Sequence, residues 1–282
     1  MTTLDARLHP SQFEAHNSEA RFKVLSCGRR WGKTRLGVNE CIDIASKGGR
    51  AWWVAPNYKM SEVGWRPLRK IGALLGAEVR KGDRQVVLPG GGEVTVRSAD
   101  NTDSLRGEGL DLAIMDECAF MAEEAWTEAI RPALSDRQGK AIFISTPKGR
   151  NWFWRNFQRG LEGGDWQSWQ KPTSDNPFIK PEEIEAARLT LPELTFEQEY
   201  LAVFLENEGA VFRNLLACLG AQLDTIPDKH DRHHIVAGVD WGKQQDYTAI
   251  SIGCATCRHE IARDRFNKID YVFQRGRLRE LC

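Results

Sequence analysis

Arg21-Phe-Lys-Val-Leu-Ser-Cys-Gly-Arg-Arg-Trp-Gly-Lys-Thr34 is the stretch that decides the fold. An apolar run (Phe22, Val24, Leu25) leads into a loop bracketed by Gly28 and Gly32, and the loop closes on Lys33 and Thr34. A helical pattern follows, with Leu36, Ile42 and Ile44 among its apolar positions. Strand, glycine loop and helix make the context in which backbone N–H groups and a helix N-terminus cradle phosphates. In that context Lys33 would reach the β- and γ-phosphates of a nucleotide and Thr34 would place its hydroxyl on Mg²⁺. The general pattern G-x-x-x-x-G-K-[ST] is not fully met. Its first glycine falls on Cys27, and the glycine stands one place later, at Gly28.

Two more apolar runs extend the reading. Leu110-Asp-Leu-Ala-Ile-Met-Asp-Glu117 holds a segment fit for a strand buried on both faces, as in a parallel sheet. It delivers Asp116 and Glu117 to the strand's C-terminal end, where open α/β sheets bind ligands. Asp116 suits Mg²⁺, and Glu117 suits polarising the water that attacks the γ-phosphate. Lys140-Ala-Ile-Phe-Ile-Ser-Thr-Pro147 reads as a third buried strand lying beside the phosphate-loop strand, with Ser145 and Thr146 placed to sense the γ-phosphate.

Around these runs the chain reads in order. Leu8-His-Pro-Ser-Gln12 opens a short helix, and the Gln12 amide carries the donor and acceptor that an adenine edge requires. Ala51–Ala55 is a short buried strand, and a helix is predicted from about Ser61 to Leu75. Gln85–Leu88 and Glu93–Arg97, joined by Pro-Gly-Gly-Gly, predict a hairpin at a sheet edge. Arg106 sits in a glycine-flanked loop before the acidic strand. From Asn151 the pattern is aromatic and helical, with further helices at roughly Pro181–Leu191 and Thr195–Leu205. Leu223–His234 has the composition of a linker. Ile235-Val-Ala-Gly-Val-Asp240 and Thr248–Ile252 then read as a hairpin carrying Asp240, which suits a two-metal site.

Lys+Arg and Asp+Glu both number 39 in 282 residues, so no net charge argues for a general nucleic-acid coat, and a local basic groove stays open. The start has no apolar h-region, so no signal peptide is expected, and no apolar run reaches membrane-spanning length. Seven scattered cysteines suit a reducing cytoplasm. Cys254-x-x-Cys257 with nearby His259 invites a zinc reading. A structural site needs four well-spaced ligands, and the later part of the chain offers only Cys282, so the spacing argues against zinc.

Gly28-Arg-Arg-Trp-Gly-Lys-Thr34, Leu105-Arg-Gly107, Ile114-Met-Asp-Glu117, Ser145-Thr-Pro147 and Gly238-Val-Asp-Trp-Gly242, in this order, resemble the large terminase subunit of tailed bacteriophages. The resemblance implies an α/β fold: a RecA-like, additional-strand P-loop ATPase with a small linker subdomain, then an incomplete ribonuclease H-like nuclease domain. The expected boundaries are 1–205 for the ATPase with its linker subdomain (about 150–205), 206–234 for the linker, and 235–282 for the start of the nuclease. Gln12, Gly28, Arg29, Arg30, Trp31, Gly32, Lys33, Thr34, Ser145 and Thr146 are then expected to bind ATP. Glu117, Lys33, Arg30 and Arg106, the last as a finger in trans, are expected to be catalytic. Thr34, Asp116 and Asp240 are expected to bind metal. Expected partners are double-stranded DNA, a portal protein, a small terminase subunit and further copies in a ring, in the host cytoplasm and outside the mature virion. Only Asp240 matches a nuclease acid, with Asp264 and Asp270 expected to face solvent, so this chain is expected not to cleave DNA. The alternatives are a non-catalytic ATP- and portal-binding remnant and a helicase-like ATPase.

Overall fold

The computed structural model describes residues 7–205, 230–242 and 246–281. The chain divides into two compact units, Met1–Gly209 and Ala210–Cys282. Of the expected linker, 206–229 lies outside the described residues, and 230–234 belongs to the second unit. Cys218 and Cys282 also lie outside the described residues.

In the first unit, α1 (Pro10–His16), β1 (Phe22–Cys27), α2 (Lys33–Ser46), β2 (Arg50–Ala55) and α3 (Tyr58–Leu74) come first. Three short strands follow: β3 (Glu78–Arg80), β4 (Gln85–Val87) and β5 (Glu93–Ser98). After β6 (Leu112–Asp116), a π-helical stretch at Ala125–Ile130 runs into α4 (Arg131–Ala133). Then come β7 (Lys140–Ser145), α5 (Trp152–Glu162), β8 (Trp166–Lys171), α6 (Pro181–Thr190) and α7 (Glu193–Tyr200). The described strands form one sheet in the order β3-β4-β5-β2-β6-β7-β1-β8. From β5 to β8 every pairing is parallel, and β4 and β3 continue antiparallel to the edge.

Both faces of the central strands are covered, which is why those strands read as continuous apolar runs rather than alternating ones. The period-2 alternation sorts side chains to two separate cores. Leu25, Trp53, Ile114, Ile142 and Ile144 face α2 and α3. Val24, Trp52, Met115 and Phe143 face Trp126, Trp152 and Phe157. Trp53 is fully buried, and a Cβ at Gly64 of α3 would come within 2.3 Å of its indole, so that helix can cross the sheet there only as glycine.

The segment expected to form a linker subdomain from about residue 150 divides. α5 packs on the main sheet, and β8 adds to it beside β1, in register from Phe22↔Trp166 to Cys27↔Lys171. The aromatic residues of α5 and β8 thus pack with the main sheet of the first unit.

The second unit has β9 (Ile235–Asp240), β10 (Thr248–Cys254) and β11 (Glu260–Phe266) in an antiparallel sheet of order β11-β10-β9, then α8 (Tyr271–Leu281). Ile250, Ile252 and Phe266 are its buried apolar cluster among the described residues. Asp264 pairs in register with Ile250 and binds Arg277 of α8 at 3.2 Å. It therefore lies half-buried under the helix, not in solvent as expected.

Candidate functional site

The phosphate loop leaves β1 between two flanking strands, since β7 pairs with β1 on one side and β8 on the other. Its shape is set by close approach. A Cβ at Gly28 would stand 2.5 Å from Thr173 Oγ1 and from the Tyr200 carbonyl, so the glycine is needed one place later than the general pattern has it. Gly32 has φ 108°, and a Cβ there would meet Gln12 Nε2 at 2.5 Å. Cys27, where the general pattern wants glycine, is a core side chain whose thiol is pushed by burial up to about 12.

Lys33 opens α2 and is buried. Its Nζ donates to the carbonyls of Cys27 (3.3 Å) and Gly28 (3.4 Å) and lies 3.8 Å from Glu117 Oε1. Glu117 follows β6 in a left-handed conformation (φ 50°), sparsely populated for a residue with a side chain and recurrent at functional sites. Its other oxygen accepts from Ser145 Oγ (3.1 Å) and from the Thr146 N–H (3.4 Å). Lys33, Thr34, Asp116, Glu117, Thr146, Arg29 and Arg30 line one cavity of about 630 Å³. It takes in groups from all three of β1, β6 and β7, at the C-terminal ends where a parallel sheet binds ligands.

The other expected site residues fall elsewhere. Ser145 is wholly buried. Its hydroxyl donates to Glu117 and accepts from the Ala119 N–H (3.4 Å), so it holds the carboxylate in place. Trp31 is also wholly buried, packed edge-on against His9, and its indole N–H donates to Ser11, so its side chain is core and not ligand-binding. The Gln12 amide is engaged at both ends: Oε1 accepts from the His9 N–H (3.0 Å) and Nε2 donates to the Gly32 carbonyl (2.9 Å). Gln12 thus clasps the loop, beside a second cavity of about 250 Å³ shared with His9, Arg35 and Phe178. Arg106 is exposed and paired with Glu128 (3.0 Å) and Asp103 (3.4 Å).

Three contributors were not read from the sequence. Thr173 Oγ1 donates to the Arg29 carbonyl (2.7 Å), Asn176 Nδ2 donates to the Arg30 carbonyl (2.6 Å), and Glu199 binds the Arg29 guanidinium. Thr-Ser-Asp-Asn looks like a helix-introducing turn, and nothing local shows that it faces a loop about 145 residues earlier.

Because β7 lies between β1 and β6, the acidic pair reaches the loop across an intervening strand. That layout is the RecA-like P-loop ATPase fold of the additional-strand type. Within that class the chain belongs to the large terminase subunit family: residues 24–216 match the family model described as terminase large subunit, T4likevirus-type, N-terminal. It is 32% identical to the terminase large subunit of Thermus virus P23-45 over 321 aligned positions, covering 97% of this chain and 65% of that protein. Against the terminase large subunit of Escherichia phage T5 the identity is 30% over 247 positions, 82% of this chain and 55% of that one. The chain thus spans somewhat under two thirds of the length of these relatives. The solved ATPase domain of the Thermus phage P74-26 large terminase is 31% identical, with a TM-score of 0.61 over 71% of this chain and 94% of that domain.

Asp116 is buried in the site, only 4% exposed. Burial, reinforced by the neighbouring charge of Glu117 and opposed by Lys33, pushes its carboxyl up to about 7. The folded chain therefore holds a proton on Asp116 that the unfolded chain releases near the ordinary carboxylate pKa. The stability contribution of this group is largest below about pH 4, falls as pH rises toward 7, and is flat above. Asp116→Asn removes the titration. Its stability relative to the parent chain should rise from pH 4 to pH 7 and then stay constant, as read from denaturant midpoints at pH 4, 5.5, 7 and 8. A difference that does not vary with pH contradicts the assignment.

Proposed function

We propose that this chain hydrolyses ATP to move double-stranded DNA into a viral procapsid. The observation that carries the reading is the Lys33–Glu117 pair, 3.8 Å apart across a cavity that also holds Thr34 and Asp116. An entering γ-phosphate competes for the Lys33 ammonium, now held by the two loop carbonyls and Glu117. The Glu117 carboxylate is then released from Lys33 but stays fixed by Ser145 and Thr146, where it can orient and deprotonate a water. Thr34 and Asp116 offer the hard oxygen donors that Mg²⁺ takes. When bound, the ion neutralises charge on the β- and γ-phosphates. The portal protein, the small terminase subunit, a ring of copies and action in the host cytoplasm are proposed on family membership.

Two observations bear on the alternatives. A helicase needs a second RecA-like domain, whereas the described residues of the second unit form an antiparallel three-stranded sheet. A non-catalytic remnant has no use for a left-handed glutamate held by a neighbouring strand's hydroxyl. Lys33→Ala should lose both nucleotide binding and turnover. Glu117→Gln should still bind a fluorescent ATP analogue while phosphate release falls about 10²–10⁴-fold. Release at the parent rate in Glu117→Gln would remove Glu117 from this role.

Arg106 is proposed to act on a neighbouring subunit's nucleotide, since it is exposed and its partners Glu128 and Asp103 are themselves exposed enough to exchange. Arg106→Ala protein and Glu117→Gln protein, each poorly active, should recover part of the ATPase rate when mixed under conditions of assembly. Confirmed mixed assemblies without recovery count against action across an interface.

The second unit is proposed to have the ribonuclease H type of fold, supported by its β11-β10-β9 antiparallel order followed by a helix. Asp240 pairs in register with Ala249, which in turn faces Arg265, and among the described residues no group of three acids gathers around it. A two-metal reaction lacks its charge compensation there. This chain should therefore leave plasmid DNA intact in excess Mn²⁺ or Mg²⁺, and cleavage that Asp240→Ala abolishes would refute that.

A further inference from the structure

We propose that His230, His233, Cys254 and Cys257 bind a structural zinc ion within the second unit. The four ligand atoms, two sulfurs and two ring nitrogens, all lie within 4.8 Å of one another. Cys254 Sγ is 3.4 Å from His233 Nδ1, and Cys257 Sγ is 3.5 Å from His230 Nδ1. Tetrahedral zinc with bonds of about 2.0–2.3 Å sets neighbouring ligand atoms about 3.3–3.8 Å apart, so the set needs little movement to close on an ion.

The backbone around the set is already shaped for it. Strand register brings Cys254 opposite Ile235, and so places the Cys-x-x-Cys turn beside the histidines just ahead of β9. The Cys257 N–H donates to Cys254 Sγ (3.4 Å), a bond that favours a ligating thiolate. Arg258 takes a left-handed conformation (φ 62°) that lets the chain turn directly into β11. The Ala255 N–H donates to the His234 carbonyl (2.8 Å) and the His234 N–H to Thr256 Oγ1 (3.2 Å), locking the two halves together. Downstream of the Cys-x-x-Cys pair the sequence offers only His259 and Cys282 as further ligands. The two histidines come from upstream, in a passage that reads as a linker.

Two soft thiolates with two imidazoles select zinc over Mg²⁺ or Mn²⁺. Binding displaces both thiol protons, and the two thiolates balance the ion's charge. Four protein ligands leave no open position, so the site is structural. It is also distinct from Asp240, at the far end of β9, roughly 17 Å along the strand. The described apolar cluster of this unit is small, so a metal cross-link between the hairpin tip and the entry to β9 contributes stability that the core does not.

The test uses the full chain, purified under reducing conditions without a polyhistidine tag. Elemental analysis should find zinc equimolar with protein. Exchange with Co²⁺ should give thiolate-to-cobalt charge-transfer bands and the visible bands of a tetrahedral centre. Cys254→Ser/Cys257→Ser and His230→Ala/His233→Ala should each lose the equimolar metal while the first unit stays folded, as read by circular dichroism. A zinc-selective chelator should lower the melting temperature of the parent chain and leave both variants unmoved. Metal-free parent protein after zinc reconstitution with its thiols intact, equimolar zinc retained in the cysteine variant, or an octahedral Co²⁺ spectrum would each overturn the proposal.

Discussion

A buried ammonium has to be compensated where it stands, because a charge left unpaired away from water costs several kcal/mol. Lys33 meets that demand with two carbonyl oxygens of its own loop and a carboxylate 3.8 Å away. Much of the site follows from this. The loop must curl so that Cys27 and Gly28 point their carbonyls inward, and β6 must end where Glu117 can face the same cavity. β7 must then lie between the two, so that its hydroxyl and amide hold the glutamate. Asp116, next to Glu117 and deeper, has its pKa raised by burial first and by the neighbouring charge of Glu117 second.

The loop is also held from outside. The backbone carbonyls of Lys171 and Glu199 accept from the Gly28 and Arg29 amides, while Thr173 and Asn176 donate to the Arg29 and Arg30 carbonyls. Gln12 secures the opposite end at Gly32. A loop satisfied on its outer edge keeps its inner edge pre-shaped, so binding a ligand does not first require ordering the backbone.

How far the sequence revealed this depended on the range of the interactions. β1, β6 and β7 were legible because burial on both faces leaves an unbroken apolar run, and the polar residues that end each run mark the sheet's ligand edge. Lys33, Thr34, Asp116 and Glu117 could be placed from those ends alone. The displaced Gly28 could be seen but not explained, since what crowds it is Thr173 and Tyr200. Position within a motif says nothing of how the Trp31 indole is buried or of the hydrogen bond from Ser145 to Glu117, because both depend on packing. β8 escaped notice because Gln167, Ser168 and Gln170 interrupt its tryptophans, as expected of a strand at the sheet's edge. The histidines of the proposed metal site were hidden for a related reason: the register that brings Ile235 opposite Cys254 is a property of the folded hairpin.

The bracing of Arg29 and Arg30 gives the loop a mechanical character. Hydrogen bonds of 2.6–2.7 Å join the loop carbonyls to Thr173 and Asn176 in the chain that follows β8. That chain continues β8, the outermost strand on its side of the sheet, and leads directly into α6 and α7, which close back on the loop through Glu199. The loop and these helices form a closed linkage. The loop's outer edge is therefore tied to the rim of the sheet, through Thr173, Asn176 and Glu199, and not to the central strands.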